Sequence, residues 1–176
     1  MAGLINYLGE FVKHHPDTIA FSMHKKGNLT YQQLYEKSIK LAIYFKKKQL
    51  QPGEFIIIAL PTSLECIIAY FACLAAGICL IPIYPPKNPY DTTRLKNVMA
   101  FTYAPFVLVE DGHLADHFDL GYPYALEPIE SAIKNSDSLS MEGFIPYTWK
   151  ETDLCLLQYS SGSTNNRKAL KFCMGT

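Results

Sequence analysis

An α/β fold of parallel βαβ units is what this sequence predicts, and three observations carry it. Short apolar runs such as Phe55-Ile56-Ile57-Ile58-Ala59-Leu60 alternate with segments whose apolar residues recur at helical spacing. Strands that are apolar on both faces belong in parallel sheets covered by helices on each side. The last apolar run opens into a loop of hydroxyl side chains, and open α/β sheets bind ligands at the carboxyl ends of their strands.

The elements follow in order. Leu29-Thr30-Tyr31-Gln32-Gln33 opens a helix, with Thr30 as N-cap and Gln33 three residues on. Leu34, Ser38, Leu41, Ala42 and Phe45 then share one helical face, and Lys46-Lys47-Lys48 suits the solvated last turn. Pro52-Gly53 ends the connection to a buried strand over 55–60. Thr62-Ser63-Leu64-Glu65 reads as a capping box, and the helix it starts runs from about Ser63 to Ala76 before Gly77 stops it. Ile78-Cys79-Leu80-Ile81 is a strand closed by prolines. Asp91 caps the next helix, with Leu95, Val98, Met99 and Thr102 facing inward, and Phe106-Val107-Leu108-Val109 is another short strand. From about Glu127 to Lys150 the chain is irregular and polar: a surface connection, or a region holding an unplaced strand. Asp153 to Tyr159 is the final strand.

Composition excludes several classes. The chain has 176 residues, 49% of them hydrophobic, with 16 Lys+Arg against 16 Asp+Glu. That is globular rather than disordered. A neutral chain without a basic stripe lacks the charge by which nucleic acid is bound. Five cysteines, mostly in apolar segments and without CxxC spacing, read as buried reduced thiols rather than disulfides or a zinc site. No basic n-region leads into an apolar stretch at the N-terminus, so the chain reads as cytoplasmic. Residues 66–86 carry no charge, but a helix and a strand share that length and neither would span a membrane. His113 and His117 have helical spacing, yet the acidic and glycine neighbours indicate a surface pair, and no metal site is expected.

The chemistry concentrates in Tyr159-Ser160-Ser161-Gly162-Ser163-Thr164 and the Lys168 that follows. Glycine lets backbone N–H groups approach closely, hydroxyls donate hydrogen bonds, and lysine adds a compact positive charge: the make-up of a phosphate cradle. A hydrophilic turn after a buried strand has the same make-up, and residue types alone leave both readings open. The loop is not a Walker loop, because Arg167 precedes Lys168 and Ala169 follows it where glycine and Ser/Thr are required.

Three segments together resemble the adenylate-forming acyl and aryl ligases (the ANL superfamily): the hydroxyl loop, the Leu29-Thr30-Tyr31-Gln32-Gln33-Leu34 helix start, and Ala72 to Pro86 with its Ala-Gly-x-x-x-x-Pro core. The Tyr84-Pro85-Pro86 ending is similar to the fatty acyl-AMP ligase branch. The resemblance implies that residues 1–164 are the N-terminal part of a large, here incomplete, adenylating domain, followed by a divergent tail over 165–176. It implies ATP-dependent adenylation of a fatty acid carboxylate, with Mg²⁺, and transfer of the acyl group to a thiol acceptor such as an acyl carrier protein. Carried over by position, Ser160, Ser161, Gly162, Ser163 and Thr164 would contact phosphate oxygens and Lys168 would add charge. The departures are Asn165, Arg167 and Ala169, where the family carries Gly, Pro and Gly. The adenine-binding segment, the acidic Mg²⁺ residue and the lid lysine would follow this length of chain. The expectation is therefore a truncated ligase, with no catalytic residue of its own and inactive alone. The alternatives are a small non-catalytic module that binds a nucleotide, an acyl group or a partner, and a flavodoxin-like protein whose hydroxyl loop holds a flavin phosphate.

Overall fold

A computed structural model describes residues 3–110, 122–159 and 169–173. The element order is α1 (Leu4–Val12), β1 (Ile19–Met23), β2 (Gly27–Thr30), α2 (Tyr31–Lys47), β3 (Phe55–Ala59), α3 (Leu64–Ala76), β4 (Cys79–Pro82), α4 (Pro89–Thr102), β5 (Phe106–Val109), β6 (Ala125–Pro128), α5 (Ile129–Asp137), β7 (Leu154–Tyr159) and β8 (Ala169–Cys173). β1 and β2 form a hairpin, and the other strands form a sheet in the order β6-β5-β3-β4-β7-β8. Every pairing in that sheet is parallel except β7 with β8.

The α/β expectation holds, and the alternation of side chains shows why. Ile56, Ile58, Leu80, Phe106 and Leu108 point to one face, where α1, α2, α3 and α5 cover them. Ile57, Ala59, Cys79, Ile81, Val107 and Val109 point to the other, where Leu95, Val98 and Met99 of α4 meet them. A period of two with apolar residues on both sides is what a doubly covered parallel strand requires. The crossovers through α3 and α5 run one way across the sheet and that through α4 the other. Right-handed crossovers then put them on opposite faces.

Local signals start the helices. At α2, Gln33 N donates to Thr30 Oγ1 at 3.2 Å and Thr30 N donates to Gln33 Oε1 at 3.0 Å, a reciprocal capping box as expected. Two other caps differ from expectation. At α3 the N-cap is Ser63, whose Oγ accepts from Cys66 N at 3.0 Å; no Thr62–Glu65 box forms, because Glu65 is only the second helical residue. At α4 the N-cap is Asn88, with Pro89 at the first helical position, where its missing N–H costs nothing. Asp91 sits one turn in. Its Oδ2 accepts from Lys87 N and from Asn88 Nδ2, so it braces the cap rather than being it.

The stretch over 127–150 is more ordered than its polarity suggested. It begins within β6, which pairs with β5 at the sheet edge, and continues through α5 to a strap returning toward β7. The strap closes the buried end of α3. Tyr147 N donates to Ala75 O and Trp149 Nε1 to Leu74 O, each at 2.9 Å. Gly77 N bonds Cys73 O, as does Ile78 N at 2.9 Å. A helix end inside a protein needs such partners, since its last carbonyls have none within the helix. Trp149 is buried and packs edge-on against Tyr147 at 5.2 Å between ring centroids.

Glu127, buried at the β6 edge, is satisfied by the Tyr44 hydroxyl and by Lys48 Nζ at 3.1 Å. Hydrogen bonds to Tyr44 and then Glu127 hold the Lys48 ammonium above its ordinary range. The lysine cluster thus closes α2 as expected, and its last member also ties that helix to the sheet. Among the described residues, no helix is long and apolar enough to cross a membrane. Cys66, Cys73 and Cys79 are buried, but Cys155 and Cys173 are only partly so, which corrects the expectation for those two.

Gly77 sits at φ +77°, and a Cβ added there would run into the Tyr147 ring. Gly53 has φ +87° and open space around it. Gly77→Ala combines left-handed strain of about 1–2 kcal/mol with an overpacking cost of similar size. Gly53→Ala carries only the strain. Urea denaturation is expected to show a loss at Gly77→Ala about twice that at Gly53→Ala; equal losses would mean that the strap yields freely.

Candidate functional site

The carboxyl ends of the parallel strands define one edge of the sheet. β3 leaves it through Leu60-Pro61-Thr62 into α3 on the first face, while β4 leaves through Ile83 to Lys87 into α4 on the second. Ile83 N still donates to Ile58 O at 3.0 Å, so the two strands part only beyond that point. Diverging connections open a crevice at such a switch point, the usual ligand site of open α/β sheets. β7 flanks β4 on the far side, with Leu80 opposite Leu156.

From this edge β7 runs out at Tyr159 and the chain returns as β8 at Ala169, the two residues paired in antiparallel register. That pair is the stem of the hydroxyl loop. Ser160, Ser161, Gly162, Ser163, Thr164 and Lys168 themselves lie outside the described residues. The second strand of the stem, β8, is an element that the sequence alone does not signal. Phe101 of α4 meets the Tyr159 ring edge-on, 6.3 Å between centroids, and steadies the base of the stem.

The edge is not electrostatically uniform. Beside the ends of β3 and β5 lies a small cleft of about 160 Å³ lined by Ser63, Glu65, Glu110 and Glu130 with Lys26. Three carboxylates against one ammonium repel a phosphate, even though α3 and α5 begin there with their positive dipole ends. On the β4 side, Lys87 Nζ lies 5.5 Å from the centroid of the exposed Tyr84 ring. Sequence reading had not singled out Lys87; its signal is its place directly after Tyr84-Pro85-Pro86. The polyanion-compatible part of the edge is therefore the β4–β7 side.

Other hollows lie elsewhere. One of about 450 Å³ is lined by Tyr7 and Glu10 of α1, by Lys13 just after it and by Tyr35, and one of about 360 Å³ by Lys48, Leu50, Phe106 and Tyr124 at the amino edge. Among the described residues no group of three or more His, Cys, Asp or Glu is placed to hold a metal ion. His15 stacks on Phe11 at 4.6 Å, and His113 and His117 lie outside the described residues.

Residues 8–171 match the family model described as AMP-binding enzyme. Zwittermicin A synthase ZmaJ of Bacillus cereus is 29% identical over 164 residues, 92% of this chain and 29% of that protein. Tyrocidine synthase 3 of Brevibacillus parabrevis is 31% identical over 147 residues, 81% of this chain and 2% of that protein. The long-chain-fatty-acid–AMP ligase FadD28 of Mycobacterium tuberculosis is 28% identical over 141 residues, 77% of this chain and 24% of that protein. The chain thus spans less than a third of the length of each. In fold it is similar to a fatty acyl-adenylate ligase from L. pneumophila solved with acyl adenylate and pyrophosphate, with TM-score 0.78 and 24% identity over 97% of this chain and 30% of that one.

Proposed function

The chain belongs to the AMP-binding enzyme family, and from that premise we propose that it is the part of an acyl-adenylating ligase that grips the pyrophosphate end of ATP. The observation that supports the reading is the position of the β7–β8 stem, whose Tyr159–Ala169 pair brackets the hydroxyl segment at the carboxyl edge of the sheet, on the side of β4 away from the acidic cleft. In the reaction a carboxylate oxygen attacks the α-phosphorus of ATP, the bond to the bridging oxygen breaks, and pyrophosphate leaves. Ser160, Ser161, Ser163 and Thr164 would donate hydrogen bonds to the β- and γ-phosphate oxygens, Gly162 would let the backbone approach, and Lys168 would offset the charge gathering on the leaving group. Mg²⁺ would enter with ATP.

A fatty acid is the carboxylate favoured by Tyr84-Pro85-Pro86 and by the similarity to FadD28. An acyl carrier thiol is the acceptor such an enzyme would serve. Residues 1–164 make up the N-terminal part of the adenylating domain in this reading. The following residues leave the family's glycine and proline pattern yet return as β8. A chain of this span holds the phosphate without completing the reaction.

Two measurements test this. In competition binding, Mg·ATP and pyrophosphate are expected to bind and AMP to bind far more weakly. Ser161→Ala with Ser163→Ala removes two hydrogen bonds to a charged group, each worth about 1.5–3 kcal/mol, and so weakens ATP binding by about a hundredfold or more. Equal affinity for AMP and ATP, or an unchanged double variant, would contradict the assignment. In ATP–pyrophosphate exchange with a long-chain fatty acid, the chain alone is expected to show no turnover. Exchange above background would show that it completes adenylation by itself.

A further inference from the structure

The strands that carry the hydroxyl loop also bring two cysteines together. Leu154 pairs with Cys173 and Leu156 with Phe172, so the register slips at Cys155. Such a bulge sets two residues of one strand, Leu154 and Cys155, against one residue of its partner, Cys173. Leu154 packs with the α4-side core, which places this corner of the bulge on that face. Cys155 Sγ reaches across to Phe172 O at 3.2 Å, spanning the gap to the neighbouring strand one residue from Cys173. Both cysteines are partly exposed and both are reduced.

We propose that Cys155 and Cys173 are a peroxide-sensitive thiol pair that closes to a disulfide across the base of the hydroxyl loop. A hydroperoxide oxidises the Cys173 thiol, on the outer strand, to a sulfenic acid and is itself reduced to water or an alcohol. The Cys155 thiol then attacks that sulfur, forming the S–S bond and releasing the hydroxyl as water. Two thiol hydrogens are lost, and the two electrons go to the peroxide.

The other cysteines are unsuited to this chemistry. Burial, then the neighbouring Cys155 and Cys173, pushes the Cys79 thiol up to about 12, and it is only 1% exposed. Cys73 is fully buried, with its thiol pushed up by that burial. Cys66 is buried and engages Tyr70. At Cys155 burial also raises the thiol, with a smaller contribution from Cys173. That suits it to resolve rather than to attack first, since the thiolate is the form that reacts with peroxide. The bridge would fasten the outer strand covalently to β7, joining residues on either side of the loop. This inference stands whether or not the loop binds phosphate.

Trypsin separates the sites, because Cys155 falls in the peptide 151–167, Cys173 in 172–176, and Cys66, Cys73 and Cys79 together in 49–87. After mild hydroperoxide treatment of the full chain, mass spectrometry is expected to find 151–167 joined to 172–176 within one molecule. Two of the five thiols should be lost, and both should return with reductant. In Cys155→Ser the Cys173 sulfenic acid is expected to persist and to take up dimedone. A bridge to peptide 49–87, a bridge between two copies of the chain, or five unchanged thiols would each overturn the proposal.

Discussion

The buried carboxyl end of α3 is the constraint on which the molecule's arrangement depends. This helix links the two central strands and must finish inside the protein, directly beneath β4. Its final carbonyls therefore need partners supplied from elsewhere. Gly77 turns the chain through a left-handed conformation and, with Ile78, satisfies Cys73. The strap brings Tyr147 to Ala75 and Trp149 to Leu74, from far along the sequence. Gly53, just ahead of β3, donates to Gly77 O at 2.8 Å. One helix end thus joins the entrances of β3 and β4 to the segment leading into β7, the three strands around the candidate site.

With those entrances fixed, the exits follow. Parallel strands in register deliver their carboxyl ends to one edge, and the opposite sides taken by α3 and α4 open the crevice there. Charge then divides the edge. Glu65, Glu110 and Glu130 make the β3–β5 side unfavourable for a polyanion, and Lys87 lies on the β4 side with the hydroxyl stem beyond it. The β7–β8 stem is the least enclosed part of the sheet, with Leu170 and Phe172 exposed on its outer strand.

Much of this was legible in the residues, for definite reasons. β3, β4 and β5 declare themselves because a strand buried on both faces has no polar position to interrupt it. The reciprocal cap at Thr30 and the stop at Gly77 are local chemistry and act where the sequence puts them. The α4 start was misplaced because Asp91 and Asn88 bond each other, and only the fold decides which of two competent residues caps. β6 was hidden because Pro128 and Glu127 disguise an edge strand; Glu127 is buried only because Tyr44 and Lys48, distant in sequence, satisfy it. α1 gave no start signal, as Gly3 caps it without a side-chain hydrogen bond. β8 carries little strand signal of its own, because Lys171 interrupts its short apolar run and pairing with β7 is what orders it. At the site, the loop's residue types are plain in the sequence, whereas its stem, the Lys87–Tyr84 stack and the acidic cleft needed the strands to be assembled.

Hydrogen–deuterium exchange of the chain with and without Mg·ATP tests most directly where the phosphates sit. The account predicts slowed exchange in peptides spanning the β7–β8 stem and residues 83–88, with the Glu65, Glu110 and Glu130 region unchanged. Protection centred on that acidic cleft, or at the amino edge around Lys48, would contradict it.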